Sequence, residues 1–272
     1  MEPSAIHPIA QRLLRLEPDE LPVLRVTRDA MAHWAGRLDD VDASRLADMV
    51  LRDPLMCLRT LQHVSASIGR RLANPVQTVT AALVLTGIEP FFRNFSQLTA
   101  LEDRLADQPK ALAGALETIK RAHCAARIAA AFAVYRQDDD AELLHQAALL
   151  HDFAGLLLWW EAPGVALDIR RRQREDERLR SADAQRALLG CDLTWISREL
   201  LEHWGLAAVV REAARALDED GPAAQTVRYA VRIARHLDKG WHHPAIADDL
   251  REAGRLLNLG PDGVASLVRG VL

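Results

Sequence analysis

Leu149-Leu150-His151-Asp152-Phe153 decides how this chain is read. A histidine beside an aspartate in an apolar helix is unusual, because both polar side chains need partners once buried. Neighbouring positions on a helix differ by about 100°, so the two side chains can flank one ion. An imidazole and a carboxylate are ligand types suited to zinc, iron or manganese. Two ligands do not make a site, so further partners must come from elsewhere in the chain.

Outward from that pair the pattern is helical, and the expected fold class is all-α. Ile6, Ala10, Leu13 and Leu14 fit one face of a first helix. Leu46, Val50 and Leu51 fit another, which Asp53-Pro54 ends. Asp53 can cap the following helix, with Pro54 at its first position, where a missing N–H costs little. That helix carries Leu55, Leu58, Leu61 and His63. Asn74-Pro75 is a second break, residues 78–85 are helical, and Gly87 is placed as a stop. A long Ala-rich helix runs through Ile119, Cys124, Ile128 and Phe132. Asp138-Asp139-Asp140 ends it and can cap the helix of residues 143–150. Gly190, Gly205, Gly221-Pro222 and Gly260-Pro261 divide the remainder into short helices. Strand-like alternation is not found. A charged stretch at 103–110 marks a boundary, so the expected divisions are 1–107 and 108–272.

Composition narrows the function. At 272 residues, with 49% hydrophobic and 26% charged, the chain can bury a real core in one large or two moderate domains. Its formal net charge of -4 gives no global basic field, so direct nucleic-acid binding is not expected. Cys57, Cys124 and Cys191 stand far apart with no CxxC pair, which fits buried thiols in a reducing compartment. Met1-Glu2-Pro3-Ser4 lacks the basic and apolar regions of a signal peptide. The apolar run around 156–160 falls short of the ~20 residues a membrane span needs. A cytoplasmic protein without membrane contact is expected.

Two sets of motifs resemble the HDOD family, the HD-related output domains of bacterial signalling proteins. The first set is Leu21-Pro22, Leu51-Arg52-Asp53-Pro54 and Leu83-Val84-Leu85-Thr86-Gly87-Ile88. The second begins at His123 and passes through Ala148-Leu149-Leu150-His151-Asp152. It ends with Leu189-Gly190-Cys191-Asp192 and Leu201-Glu202-His203-Trp204-Gly205-Leu206. The resemblance spans about residues 20–240. It implies an N-terminal helical bundle packed on a C-terminal HD-like helical bundle.

The resemblance also implies a site. Catalytic relatives in the wider HD superfamily hold metal with a first histidine, the His-Asp pair and a late aspartate. Here the first histidine matches His123 and the pair matches His151 and Asp152. The late aspartate aligns with Arg235; a register one turn on brings Asp238 instead. Arginine is permanently cationic and cannot ligate a metal, but its guanidinium could replace the ion and pair with Asp152. Leu193 stands where binuclear relatives tend to carry histidine, and Ala216-Leu217-Asp218 replaces an expected His-rich stretch. The lysine that often follows the pair is absent from Phe153-Ala154-Gly155, and so is a cyclic-dinucleotide GYP motif. The expectation is a degenerate site with no catalytic residue, no metal and no cofactor.

Other conspicuous residues read as structure. Arg170-Arg171-Arg172-Gln173-Arg174, followed by Glu175-Asp176-Glu177, is a mixed-charge exposed helix. Trp159-Trp160 is core at one or both positions. His242-His243 belongs to a surface loop, and His145 and His203 are ordinary half-buried histidines. The function expected is a non-catalytic signalling module that contacts a protein partner. The alternatives are a divergent metal-dependent phosphohydrolase, or a receptor holding a nucleotide or other small molecule in the remnant pocket.

Overall fold

The computed structural model describes residues 6–67, 76–176, 178–206 and 221–272. Met1-Glu2-Pro3-Ser4, Asn74-Pro75, Glu177 and Ala216-Leu217-Asp218 lie outside the described residues. The described chain is all-helical, as the periodicity implies. Among the described residues the only extended pairing is an isolated parallel bridge between Val23 and Ala100. No helix among them is long and apolar enough to cross a membrane.

Contacts group the chain into two compact units, Met1–Thr118 with Asp152–Ala207, and Ile119–His151 with Ala208–Leu272. This division follows packing, whereas the boundary at 107/108 marks the charged loop before the longest helix, so the two describe different things.

The first unit contains α1 (Pro8–Leu13), α2 (Arg25–Trp34), α3 (Ala43–Val50), α4 (Pro54–Ser67), α5 (Val79–Thr86), α6 (Ile88–Asn94) and α7 (Leu101–Arg104). It also takes the first part of α8 (Pro109–Arg136) and, after α9 (Ala141–Leu150), the helices α10 (Phe153–Glu161), α11 (Pro163–Glu175), α12 (Ser181–Leu189) and α13 (Leu193–His203). Local signals set most of these ends. Thr78 caps α5 by accepting the Ala81 N–H at 3.2 Å. Gly87 ends α5 with φ +77°, a conformation that glycine adopts without strain.

Several family motifs are fasteners within this unit. Fully buried Asp53 accepts the Leu55 and Met56 N–H groups at 3.0 and 3.2 Å, which caps α4 as expected. It also accepts the Leu24 N–H at 2.6 Å, so the Leu21-Pro22 and Asp53-Pro54 motifs are tied together. Arg59 of α4 donates to the Leu21 carbonyl at 2.6 Å. Gly190, at φ +76°, stops α12, and Asp192 caps α13 by accepting the Trp195 N–H at 3.0 Å. Buried Trp204 donates to the Leu16 carbonyl at 2.9 Å.

The second unit holds the rest of α8, α9, α14 (Pro222–Leu237), α15 (Ala245–Leu257) and α16 (Pro261–Gly270). Its core gathers Ile128, Phe132, Leu144, Val227, Ile233, Ala253 and Val264, all nearly or fully buried. Asp140 stands at the start of α9 but makes no side-chain capping bond. The acidic turn therefore helps that end only through charge near the helix dipole, with Glu142 in the first turn.

Candidate functional site

His151 and Asp152 do not lie inside one helix. His151 ends α9 in an α-helical conformation, its N–H reaching back to the Ala148 carbonyl at 3.4 Å. Asp152 begins α10 with φ −102° and ψ 22°, and its carbonyl accepts the Gly155 N–H at 2.9 Å. The pair sits at a junction, and both residues are half-buried. The division between the units falls between these two residues, so His151 belongs to the second unit and Asp152 to the first.

His123 is half-buried on α8 in the second unit. Beside it stands His145 of α9, a neighbour that the sequence does not reveal because 22 positions separate them. Burial pushes the His145 imidazole below its ordinary value, and the charge of His123 pushes it further the same way. Glu142 and a hydrogen bond to the Ala126 backbone act in the opposite direction. α8 thus presents His123 and Ala126 toward His145, one turn apart on one face.

Arg235 is exposed in the last turn of α14. Asp238, the alternative carboxylate, caps the end of the same helix and pairs with Arg121 of α8 at 3.5 Å. Its charge also reaches Cys124, whose thiol is pushed up first by burial and then by Asp238. Among the described residues, no three His, Cys, Asp or Glu side chains come close enough together to hold a metal ion.

The other residues singled out by sequence are placed as follows. Trp159 is buried and donates Nε1–H to Thr118 at 3.2 Å. Its ring lies where a Cβ at Gly114 would come within 2.5 Å, so α8 requires glycine there for α10 to pack. Trp160 is half-buried under the Arg104 guanidinium, 5.9 Å from the ring centre. The arginine run lies on α11, where Arg171 pairs with Asp168 at 2.9 Å and Arg170 with Glu117. His203 is exposed and bonds Glu17 at 3.1 Å. His242 is exposed, while His243 is half-buried and stacks on His236.

Sequence reading passes over one further cluster altogether. Asp249 of α15 is completely buried, and Arg232 and His236 of α14 both bond to it. Its partners precede it by 17 and 13 positions across a turn, and no local rule connects them.

The described chain is all-helical, with its His-Asp pair at a helix junction. The HDOD domain model matches residues 26–219, and the chain belongs to the HDOD family. The fold is similar to that of the MmoQ response regulator from Methylococcus capsulatus, with a TM-score of 0.69 and 23% identity over 92% of this chain and 98% of that one. It is also similar to a virulence factor from Campylobacter jejuni, with a TM-score of 0.65 and 17% identity over 96% and 94% of the two chains. No curated protein matches this chain.

Proposed function

We propose that this chain is a non-catalytic, cytoplasmic signal-transduction module that acts on a protein partner, with its HD site degenerate. The observation that carries the reading is the donor set: among the described residues no three His, Cys, Asp or Glu side chains come close enough to hold an ion, and the residue aligned with the late position is exposed Arg235. Metal-dependent phosphate hydrolysis needs an ion to polarise the phosphate and activate water, and a set of this kind supplies no cage for it. Membership of the HDOD family supports a role in signalling.

Contact with a protein fits the surface of the first unit. A helix that is apolar all round is ordinarily buried, yet α5 leaves Val84 66% and Leu85 44% exposed.

The test is a hydrolysis screen over phosphomonoesters, cyclic nucleotides and cyclic dinucleotides with added Mn²⁺ or Fe²⁺, alongside metal analysis of protein purified without chelator. The expected result is no turnover and no stoichiometric transition metal. Turnover that disappears in Asp152→Ala overturns the reading in favour of an enzyme. A thermal shift with nucleotides would replace it with a receptor, since a ligand at 100 times its Kd adds about 2.7 kcal/mol.

A further inference from the structure

The cluster around Asp249 lies wholly in the second unit and uses none of the HD positions. Arg232 donates to Asp249 Oδ1 at 2.6 Å and to Glu252 at 2.7 Å. His236 Nδ1 bonds the other oxygen, Oδ2. An ionised carboxylate only accepts, so Nδ1 carries a proton, and in the neutral imidazole the lone pair lies on Nε2. Among the described residues Nε2 has no hydrogen-bond partner, and it is not a buried unpaired atom either. It therefore reaches solvent, on a side chain that is 24% exposed.

The neighbouring histidine is arranged the opposite way. His243 stacks on His236 with ring centres 4.9 Å apart and planes 11° from parallel. Its Nδ1 accepts the Ala245 N–H at 3.3 Å, so its proton sits on Nε2. It is a donor there and not a second metal ligand, and two nearly parallel rings do not aim their nitrogens at one ion. The cluster thus offers a single basic nitrogen at the surface, oriented from behind by a buried carboxylate. Lys239 and His242 are exposed in the turn after α14, beside the exposed carboxylate of Asp238.

We propose that His236 is a phosphoryl-accepting histidine, modified at Nε2 by a donor of the phosphoramidate class. The Nε2 lone pair attacks phosphorus and forms the N–P bond. The donor reacts with its nitrogen already protonated, so as its P–N bond breaks the electron pair leaves with the nitrogen as a neutral amine, which is ammonia when phosphoramidate itself is the donor. The imidazole gains positive charge as the bond forms, and Asp249, already holding Nδ1–H, stabilises it. Asp249 is thus a positioning residue, and His236 is the nucleophile. This assignment is independent of the HD remnant.

The experiment incubates the full chain with phosphoramidate, followed by peptide mapping under alkaline conditions and ³¹P NMR. The expected product is one acid-labile, alkali-stable phosphoryl group on Nε2 of His236. Exposed His33 and His242 in the same molecule serve as internal references and should react more slowly by roughly tenfold. His236→Gln should abolish the signal, and Asp249→Asn should slow it by a similar factor while leaving His33 and His242 unchanged. Equal labelling of His236 and His242 in the wild-type chain overturns the proposal without any variant. Labelling at Nδ1, or an unchanged rate in a folded Asp249→Asn protein, overturns it as well.

Discussion

Each unit completely buries one aspartate among its described residues, and the two are held by different chemistry. Asp53 is bonded by neutral donors, the N–H groups of Leu24, Leu55 and Met56 and the side chain of Thr27. Asp249 is bonded by side chains, Arg232 and His236, that themselves reach solvent. The first arrangement fixes backbone: it joins the start of α4 to the start of α2. The second fixes side chains and leaves a ring nitrogen at the surface. A buried carboxylate that fastens main chain reads as architecture, whereas one that orients a half-exposed histidine is a candidate for chemistry.

The largest effect is expected at Asp53. Asp53→Ala removes a helix cap and leaves the buried Leu24 N–H and Thr27 hydroxyl without their acceptor. Together these should cost about 3 kcal/mol, read as a lower urea midpoint. Asp249→Ala should cost less, about 2 kcal/mol, because the Arg232 side chain is 36% exposed and can turn to water. If Asp249→Ala proves the more damaging, the contrast between the two sites is wrong.

The two arginines sharpen the contrast. Arg59 is pushed down by burial, its Nε is buried without a partner, and one nitrogen reaches the Leu21 carbonyl. Arg59→Met should therefore cost only about 1 kcal/mol. Arg232→Met strands Asp249 with His236 alone and should cost about 2 kcal/mol. Paired denaturation curves check the order.

What could be read from the sequence follows from distance along the chain. Asp53-Pro54 announces a cap because the N–H donors lie two and three residues on, and the structure has that cap. Leu24, 29 positions back, gives no such signal. His151-Asp152 stands out because a polar pair interrupts an apolar run. Its place at a junction was not legible, since apolar residues flank the pair on both sides with no proline or glycine between them. Trp159 reads as core from its surroundings, but its demand for Gly114 does not, because a close approach leaves no periodic trace. His145 beside His123 and Asp249 beside His236 are tertiary neighbours, and only folding brings them together.

The smallest expected effect is a pH dependence carried by Asp53. Burial, the largest influence on Asp53, pushes its carboxyl above the ordinary range, and bonds from Leu24, Thr27, Met56 and Leu55 offset this only in part. Between the ordinary value of about 3.9 and the raised one, the folded chain keeps a proton that the unfolded chain has released. The contribution of Asp53 is thus fully present below the ordinary value and is lost as pH rises through the folded one. Asp53→Asn cannot titrate and imitates the protonated form. The stability of wild type relative to Asp53→Asn should fall between pH 4 and pH 7, measured by urea denaturation. His63, pushed down by burial, titrates in both proteins and cancels. A difference that rises with pH would mean that the four donors outweigh burial. Asp53 would then be held as a carboxylate by neutral donors alone.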